Sequence, residues 1–367
     1  MSNWEKVKLG DVVTLLNGRA YKQDELLDKG DTPVLRVGNF FSNRGWYYSD
    51  LQLEENKYCN KGDLLYAWSA SFGPMIWDGP RAIYHYHIWK IVLSEHVEKG
   101  YMYHLLQQST KTIKEQGRGI AMIHATKSGM EKMLIPLPPL ETQKKIAKTL
   151  DTAAELLAMR KQQLAELDNL MNSTFYDMFG DPFGNPKGWN MCQLSDLAVI
   201  IMGQSPNGSS YNEEGEGTPL LNGPSEFREK YPKEKQWTLE PTKMCQKDDI
   251  LFCVRGATAG RMNISDKEYC IGRGLAAIRP KQYSMQGFIY LYLKMMYNHF
   301  QVTSNGSTFI NISKDQLHKL PYLKVDTELQ DKFSNIYLKI EEQKALVKIS
   351  IDETQHLFDS LMSEYFE

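Results

Sequence analysis

The sequence predicts a mixed α/β (α+β) chain in which two globular domains alternate with two long helices that pair as an antiparallel coiled coil. Three observations predict it. The chain repeats itself after about 187 residues: Trp4-Glu5-Lys6-Val7-Lys8-Leu9-Gly10-Asp11 returns as Trp189-Asn190-Met191-Cys192-Gln193-Leu194-Ser195-Asp196, and Glu141-Thr142-Gln143 returns as Glu328-Leu329-Gln330. Each copy opens with short strand-like runs broken by glycine. Each copy closes with a long stretch whose apolar residues recur in steps of three and four, the mark of a helix that pairs with another. The expected segments are residues 1–140 (first domain), 141–180 (first helix), 181–326 (second domain) and 327–367 (second helix).

The strand candidates of the first domain are residues 33–37, 63–68 and 88–93, with counterparts at 219–221, 249–254 and 275–278. Residues 101–108 and 288–295 read as a short helix in each copy. After Pro138-Pro139-Leu140 the chain runs from residue 141 to 179 without Gly or Pro. The seam expected for pairing includes Ile146, Leu150, Leu157, Leu164 and Met171 on the first helix, with Met178 in phase. Phe333, Ile340, Val347, Ile351 and Phe358 hold the same phase on the second. Arg160 and Thr174 interrupt the first seam, Lys344 and Thr354 the second. Each helix would be roughly 58 Å long at 1.5 Å per residue. Gly180-Asp181-Pro182-Phe183-Gly184-Asn185-Pro186 ends the first.

Two repeats are too few for a solenoid, whose units need several neighbours. They suggest internal pseudo-two-fold symmetry, which suits a target with two halves, and duplex DNA is the commonest of that kind. The net charge of −2 argues against a protein that coats nucleic acid indiscriminately. Locally the balance is basic: residues 111–132 carry five basic and two acidic side chains, residues 243–281 eight and four. No apolar run approaches the ~20 residues of a membrane span. The five cysteines, Cys59, Cys192, Cys245, Cys253 and Cys270, are odd in number and form no C-x-x-C pair. Buried free thiols in a reducing cytoplasm are the expectation.

Catalytic and cofactor motifs are missing from the sequence. There is no G-x-x-x-x-G-K-[ST] loop for a nucleotide, no G-x-G-x-x-G after a strand, and no Asn/Asp-Pro-Pro-Tyr/Phe tetrapeptide of an amino-methyltransferase. His85-x-His87 lacks a third ligand at a helpful spacing, so strand histidines are expected there and no metal site.

Pro136-Leu137-Pro138-Pro139-Leu140-Glu141-Thr142-Gln143-Lys144-Lys145-Ile146 resembles the signature that opens the long helix in specificity (S) subunits of type I restriction-modification enzymes. Asp63-Leu64-Leu65-Tyr66-Ala67-Trp68-Ser69 and, more closely, Asp249-Ile250-Leu251-Phe252-Cys253-Val254-Arg255-Gly256 resemble the turn inside each target-recognition domain of that family. The resemblance covers the whole chain, although the second helix opening keeps only Glu328 and Gln330 of the signature. It implies that each domain reads one half of a bipartite sequence in double-stranded DNA. It implies that the helices set the spacer and dock two methyltransferase (modification) subunits, with motor-nuclease (restriction) subunits outside them. S-adenosylmethionine, ATP and Mg would then sit on partner subunits and no cofactor on this chain, a non-catalytic cytoplasmic subunit. The alternative is a coiled-coil scaffold with two protein-binding globular ends.

Residues with donors suited to bases and phosphates are the candidate DNA contacts. In the first domain they are Arg36, Asn39, Arg44, Ser69, Arg118, His124, Thr126 and Lys127. In the second they are Asn222, Arg255, Thr258, Arg261, Arg273, Asn305, Thr308, Asn311 and Lys314. Arg36 and Arg255 lead, because arginine to guanine is the commonest specific contact.

Overall fold

A computed structural model describes residues 4–42, 45–69, 72–116, 126–303 and 311–366, with the side chains of residues 40, 112–116 and 297–303 outside the description. The chain divides into two compact units, one of Met1–Gln162 with Ile349–Glu367, the other of Gln163–Lys348.

The first unit is built on the run Leu64-Leu65-Tyr66-Ala67, buried at every position. A strand buried on both faces must be covered twice. Leu64 and Tyr66 face a core shared with Leu15, Trp89 and the helix residues Met102, Leu105 and Leu106. Leu65 and Ala67 face a second core with Leu35, Tyr84 and Ile88. The strand lies inside an antiparallel sheet of spatial order Val13–Asn17, Ile88–Leu93, Leu64–Ala67, Gly73–Ile76. The second sheet runs Tyr47–Ser49, Thr32–Leu35, Ala82–Tyr84, Tyr58–Cys59, with its two central strands parallel. Helix Lys99–Gln116 covers the outer face of the first sheet.

The second unit repeats this plan. Ile250-Leu251-Phe252-Cys253 is again buried throughout. Ile250 and Phe252 face Phe288, Ile289 and Tyr292 of helix Gln286–Thr303, while Leu251 and Cys253 face Leu221, Tyr269 and Ile271. The antiparallel sheet has the order Ala198–Met202, Leu275–Pro280, Ile250–Cys253, Met262–Ile264. The other sheet gains a fifth strand, Tyr211–Asn212.

The long helices span Leu140–Phe179 and Thr327–Phe366, 40 residues each, or about 60 Å. Each unit contains part of both, and in each unit they run antiparallel. In the first, Ile146 and Leu150 share a core with Phe358 and Met362, and the Arg160 guanidinium donates to the Ser350 carbonyl and the Thr354 hydroxyl. In the second, Lys344 bridges Asp168 and Glu341, each at 2.8 Å, and Phe175 and Phe179 lie 5.6 and 5.1 Å from Phe333. Ile146, Leu150, Met171, Phe333, Ile340 and Val347 are buried, and Leu157, Leu164, Ile351 and Phe358 are half-buried. Three of the polar interruptions, Arg160, Lys344 and Thr354, are therefore occupied by ion pairs and hydrogen bonds.

Four expectations need correction. The first helix ends its seam on Phe175 and Phe179, both fully buried, while Thr174 and Met178 are only half-buried. Its last turns lie against Phe288 and Tyr292 as well as the other long helix, and that broader apolar wall favours the bulkier side chains. Each is worth roughly 1.5–3 kcal/mol of burial. The two shorter helices run 18 residues each, longer than their strongest apolar cores, because they must span a whole sheet. Val37 begins a helix, Val37–Phe41, rather than ending a strand, because Asn39 Oδ1 accepts from Arg36 N at 3.3 Å in a cap-like turn. His85 forms an isolated β-bridge with Arg19 just past strand Ala82–Tyr84, whereas His87 lies in the turn before strand Ile88–Leu93 and not within a strand.

All five cysteines are free, four buried and Cys192 half-buried. Burial pushes the Cys59 and Cys253 thiols up to about 12. Among the described residues no helix is long and apolar enough to cross a membrane.

Candidate nucleic-acid interface

Both units bring the same three chain segments together at one end of their sheets, and the same backbone hydrogen bonds hold them. In the first unit His85 N donates to Leu35 O (2.9 Å), Ile88 N to His85 O (2.9 Å) and Trp68 N to His87 O (3.0 Å). In the second, Gly272 N donates to Leu221 O (2.8 Å), Leu275 N to Gly272 O (3.0 Å) and Val254 N to Gly274 O (2.9 Å). A glycine lies under each turn. A Cβ on Gly18 would stand 2.3 Å from the carbonyl oxygens of Tyr84 and His85, and one on Gly203 would stand 2.2 Å from that of Gly272. Close backbone approach requires glycine at both places.

In the first unit Arg36 follows strand Thr32–Leu35 and stacks its guanidinium 4.2 Å from the Tyr47 ring centroid, with Nε buried and unpartnered among the described residues. Asn39 donates to Gly45 O at 3.4 Å. Ser69 is buried, which leaves its hydroxyl little reach. Thr126 caps helix Lys127–Glu131 by accepting from Gly129 N at 3.1 Å, and Lys127 pairs with Glu131 at 3.8 Å. Thr126 and Lys127 line an open pocket with Asn17, Gly18, Trp68, Tyr86 and Trp89. Its floor is aromatic: Trp68 stacks on Trp89 at 5.7 Å and meets Tyr86 edge-on at 6.0 Å. Burial, with His87 and Arg36 nearby, lowers His85 to about 4, so this turn is uncharged there at neutral pH.

In the second unit Asn222 occupies the place of Arg36 and donates to Gln236 Oε1 at 2.9 Å. Asn222 is crowded by the turn, since a Cβ on Gly272 would lie 2.5 Å from its Oδ1 and one on Gly274 would lie 2.6 Å from its carbonyl oxygen. Arg255 and Asn311, far apart in sequence, form a β-bridge, supported by Ile312 N donating to Val254 O at 2.8 Å. Both are exposed, as are Arg261, Arg273 and Lys314, whereas Thr258 is half-buried in a short 3-10 turn. Lys314 opens helix Lys314–His318, capped by Ser313.

Asn222 and Arg273 thus come together, as do Arg255 and Asn311. Arg44, Arg118, His124, Asn305 and Thr308 lie outside the described residues. Trp68, Tyr86 and Trp89 were not among the sequence candidates, although shifting Tyr86 by 187 positions lands on Arg273 and would have found the tip. Among the described residues no cluster of three His, Cys, Asp or Glu could hold a metal ion.

Residues 1–169 and 186–348 each match the family described as the type I restriction modification DNA specificity domain. A Methanocaldococcus jannaschii protein, provisionally assigned as the type I restriction enzyme MjaX specificity subunit, is 29% identical over 384 aligned positions, 94% of this chain and 85% of that protein. The EcoBI specificity subunit of Escherichia coli is 27% identical over 172 positions, 46% of this chain and 36% of that protein. In fold the chain resembles the type I S subunit from M. genitalium (TM-score 0.63, 17% identity, 100% and 96% of the two chains). It also resembles a chain from a structure of the type I R-M system (TM-score 0.61, 24% identity, 100% and 98%). The chain belongs to the type I restriction-modification DNA specificity domain family, carries that domain twice, and has a DNA-recognition role.

Proposed function

We propose that this chain is the specificity subunit of a type I restriction-modification complex, in which the loop end of each unit reads one half of a bipartite duplex sequence. The observation that carries the reading is the duplicated loop end, where matching backbone hydrogen bonds present different side chains in the two units. The two 40-residue helices would set the spacer and offer the docking face for two methyltransferase subunits. Arg255, Arg261, Arg273 and Lys314, exposed in the second unit, supply forked or point donors for bases and phosphates. Lys127, Arg36 and Asn39 serve the first unit. The chain itself does no chemistry: S-adenosylmethionine belongs to the methyltransferase subunits, and ATP and Mg to motor-nuclease subunits, all in the cytoplasm.

Duplex binding by the full chain, with and without methyltransferase subunits, measured against salt concentration tests this reading. Affinity should fall as a power of salt concentration with an exponent of about 0.9 per phosphate neutralised. Selection from randomised duplexes should yield two short sequences at fixed separation. A flat salt profile at every stoichiometry would point instead to a scaffold that binds proteins at its two ends.

A further inference from the structure

The turn at the loop end carries the sharpest chemical difference between the two units. In the first its tip is Tyr86, 38% exposed, with its ring 3.8 Å from that of His87 and 4.5 Å from that of His85. Its carbonyl accepts from Trp68 Nε1 at 2.9 Å, and its amide donates to Arg19 O at 3.0 Å. In the second the tip is Arg273, exposed between Gly272 and Gly274, with its amide donating to Ser205 Oγ at 3.2 Å. The flanking strands pair alike in both units, and the three bonds that fix one turn have direct counterparts in the other. Position for position, an aromatic ring has been exchanged for a guanidinium on one scaffold.

A ring held by its own backbone and by neighbouring rings loses little freedom on binding, so its apolar face is ready for use. The groove feature suited to such a face is the thymine methyl group, whereas a guanidinium suits the O6 and N7 acceptors of guanine. The pocket beside Tyr86 is also flanked by Lys127, a cation suited to a phosphate.

We propose that this tip is a specificity-determining position in both units: Tyr86 makes an apolar contact to a thymine in the half-site read by the first unit, and Arg273 donates to a guanine in the half-site read by the second. The inference rests on the DNA-reading function proposed above and adds the residue and the base class to it.

The test is selection from a pool of randomised duplexes by the full chain co-purified with type I methyltransferase subunits, comparing wild type with Tyr86→Arg, Tyr86→Phe, Arg273→Tyr and Arg273→Ala. Tyr86→Arg should exchange thymine for guanine at one or two positions of one half-site and leave the other unchanged. Tyr86→Phe should keep the wild-type pattern and its thermal midpoint, which shows that the turn tolerates substitution. Arg273→Ala should lower the guanine preference in the opposite half-site by roughly five- to a hundredfold, and Arg273→Tyr should replace it. Unchanged base preferences in Tyr86→Arg and Arg273→Tyr, with binding retained, would overturn the inference and leave the DNA-reading function standing. Changes in both half-sites from a single substitution would overturn it too. A wild-type chain that enriches no bipartite sequence would overturn the DNA-reading function, and this inference with it.

Discussion

The first unit turns from strand Ala82–Tyr84 into strand Ile88–Leu93 through His85, Tyr86 and His87, whereas the second makes the same turn through Gly272, Arg273 and Gly274. Main-chain hydrogen bonds and an underlying glycine fix both turns, so no tip side chain is needed to hold the loop. The difference teaches that scaffold and surface are physically separable in this fold. The same separation extends inward, where matching structural jobs are done by different bonds. Asp249, 1% exposed, takes a bidentate fork from Arg279 at 2.9 and 2.8 Å. Its counterpart Asp63 is more exposed and meets Lys90 at 2.7 Å, from a neighbouring-strand position two residues out of step. Gln143 is fully buried and makes three hydrogen bonds, to Glu98 N, His96 O and Pro138 O. Its counterpart Gln330 donates to Val325 O at 2.7 Å, and its Oε1 is buried without a partner among the described residues.

The largest expected asymmetry is at the carboxylates. Arg279→Ala leaves a buried charge unpaired and should cost the second unit about 3–5 kcal/mol. Lys90→Ala should cost the first about 1 kcal/mol, because solvent already reaches Asp63. Hydrogen exchange read by mass spectrometry in rising urea resolves the two units separately, and equal losses would break the comparison. Next come the glutamines. Gln143→Ala removes three hydrogen bonds, a buried one to Pro138 O and part-buried ones to Glu98 N and His96 O, and should cost about 2–3 kcal/mol, against about 1 kcal/mol for Gln330→Ala, by the same exchange measurement. An equal cost would mean that the unpaired Gln330 oxygen is satisfied in solution.

The remaining difference is in pH. His85 is lowered to about 4 by burial, then by His87 and Arg36, while in the unfolded chain it titrates near 6.5. Between those values the unfolded state binds more protons, so the first unit should lose stability as pH falls from about 6.5 toward 4, by about 1–2 kcal/mol given the partly exposed ring. His85→Gln should flatten that slope in unfolding curves taken from pH 7.5 to 4.5. The second unit has Gly272 there and should show no such step from its turn. A slope unaltered by the substitution would remove His85 as its source.

Much of the fold was legible because repetition and periodicity are written in the chain. The buried strands Leu64–Ala67 and Ile250–Cys253 and both long helices stand out as apolar runs and seams. The shift from Met178 to Phe179 at the end of the first helix was not legible, because it depends on rings contributed by Phe288 and Phe333 from distant segments. The candidate site was legible in part. Donor chemistry pointed to Arg255, Arg273 and Asn311, but not to the β-bridge that joins the first and last of these. A search for donors also passes over Tyr86, whose meaning comes from where the turn places it. Gln143 and Gln330 were visible only as a signature, and their reason is the backbone they fasten.

Changing the length of the long helices tests most directly the proposal that they set the distance between two readers. Matched four-residue insertions after Gln162 and Lys348, where each helix passes from one unit to the other, add about 6 Å. They rotate the seam by only ~40° beyond a full turn, which leaves the apolar residues able to pair again. With base pairs ~3.4 Å apart, sequencing of methylated sites in cells carrying this variant and its methyltransferase partner should show unchanged half-sites. The spacer between them should be longer by one or two base pairs. An unchanged spacer with modification intact would contradict the account.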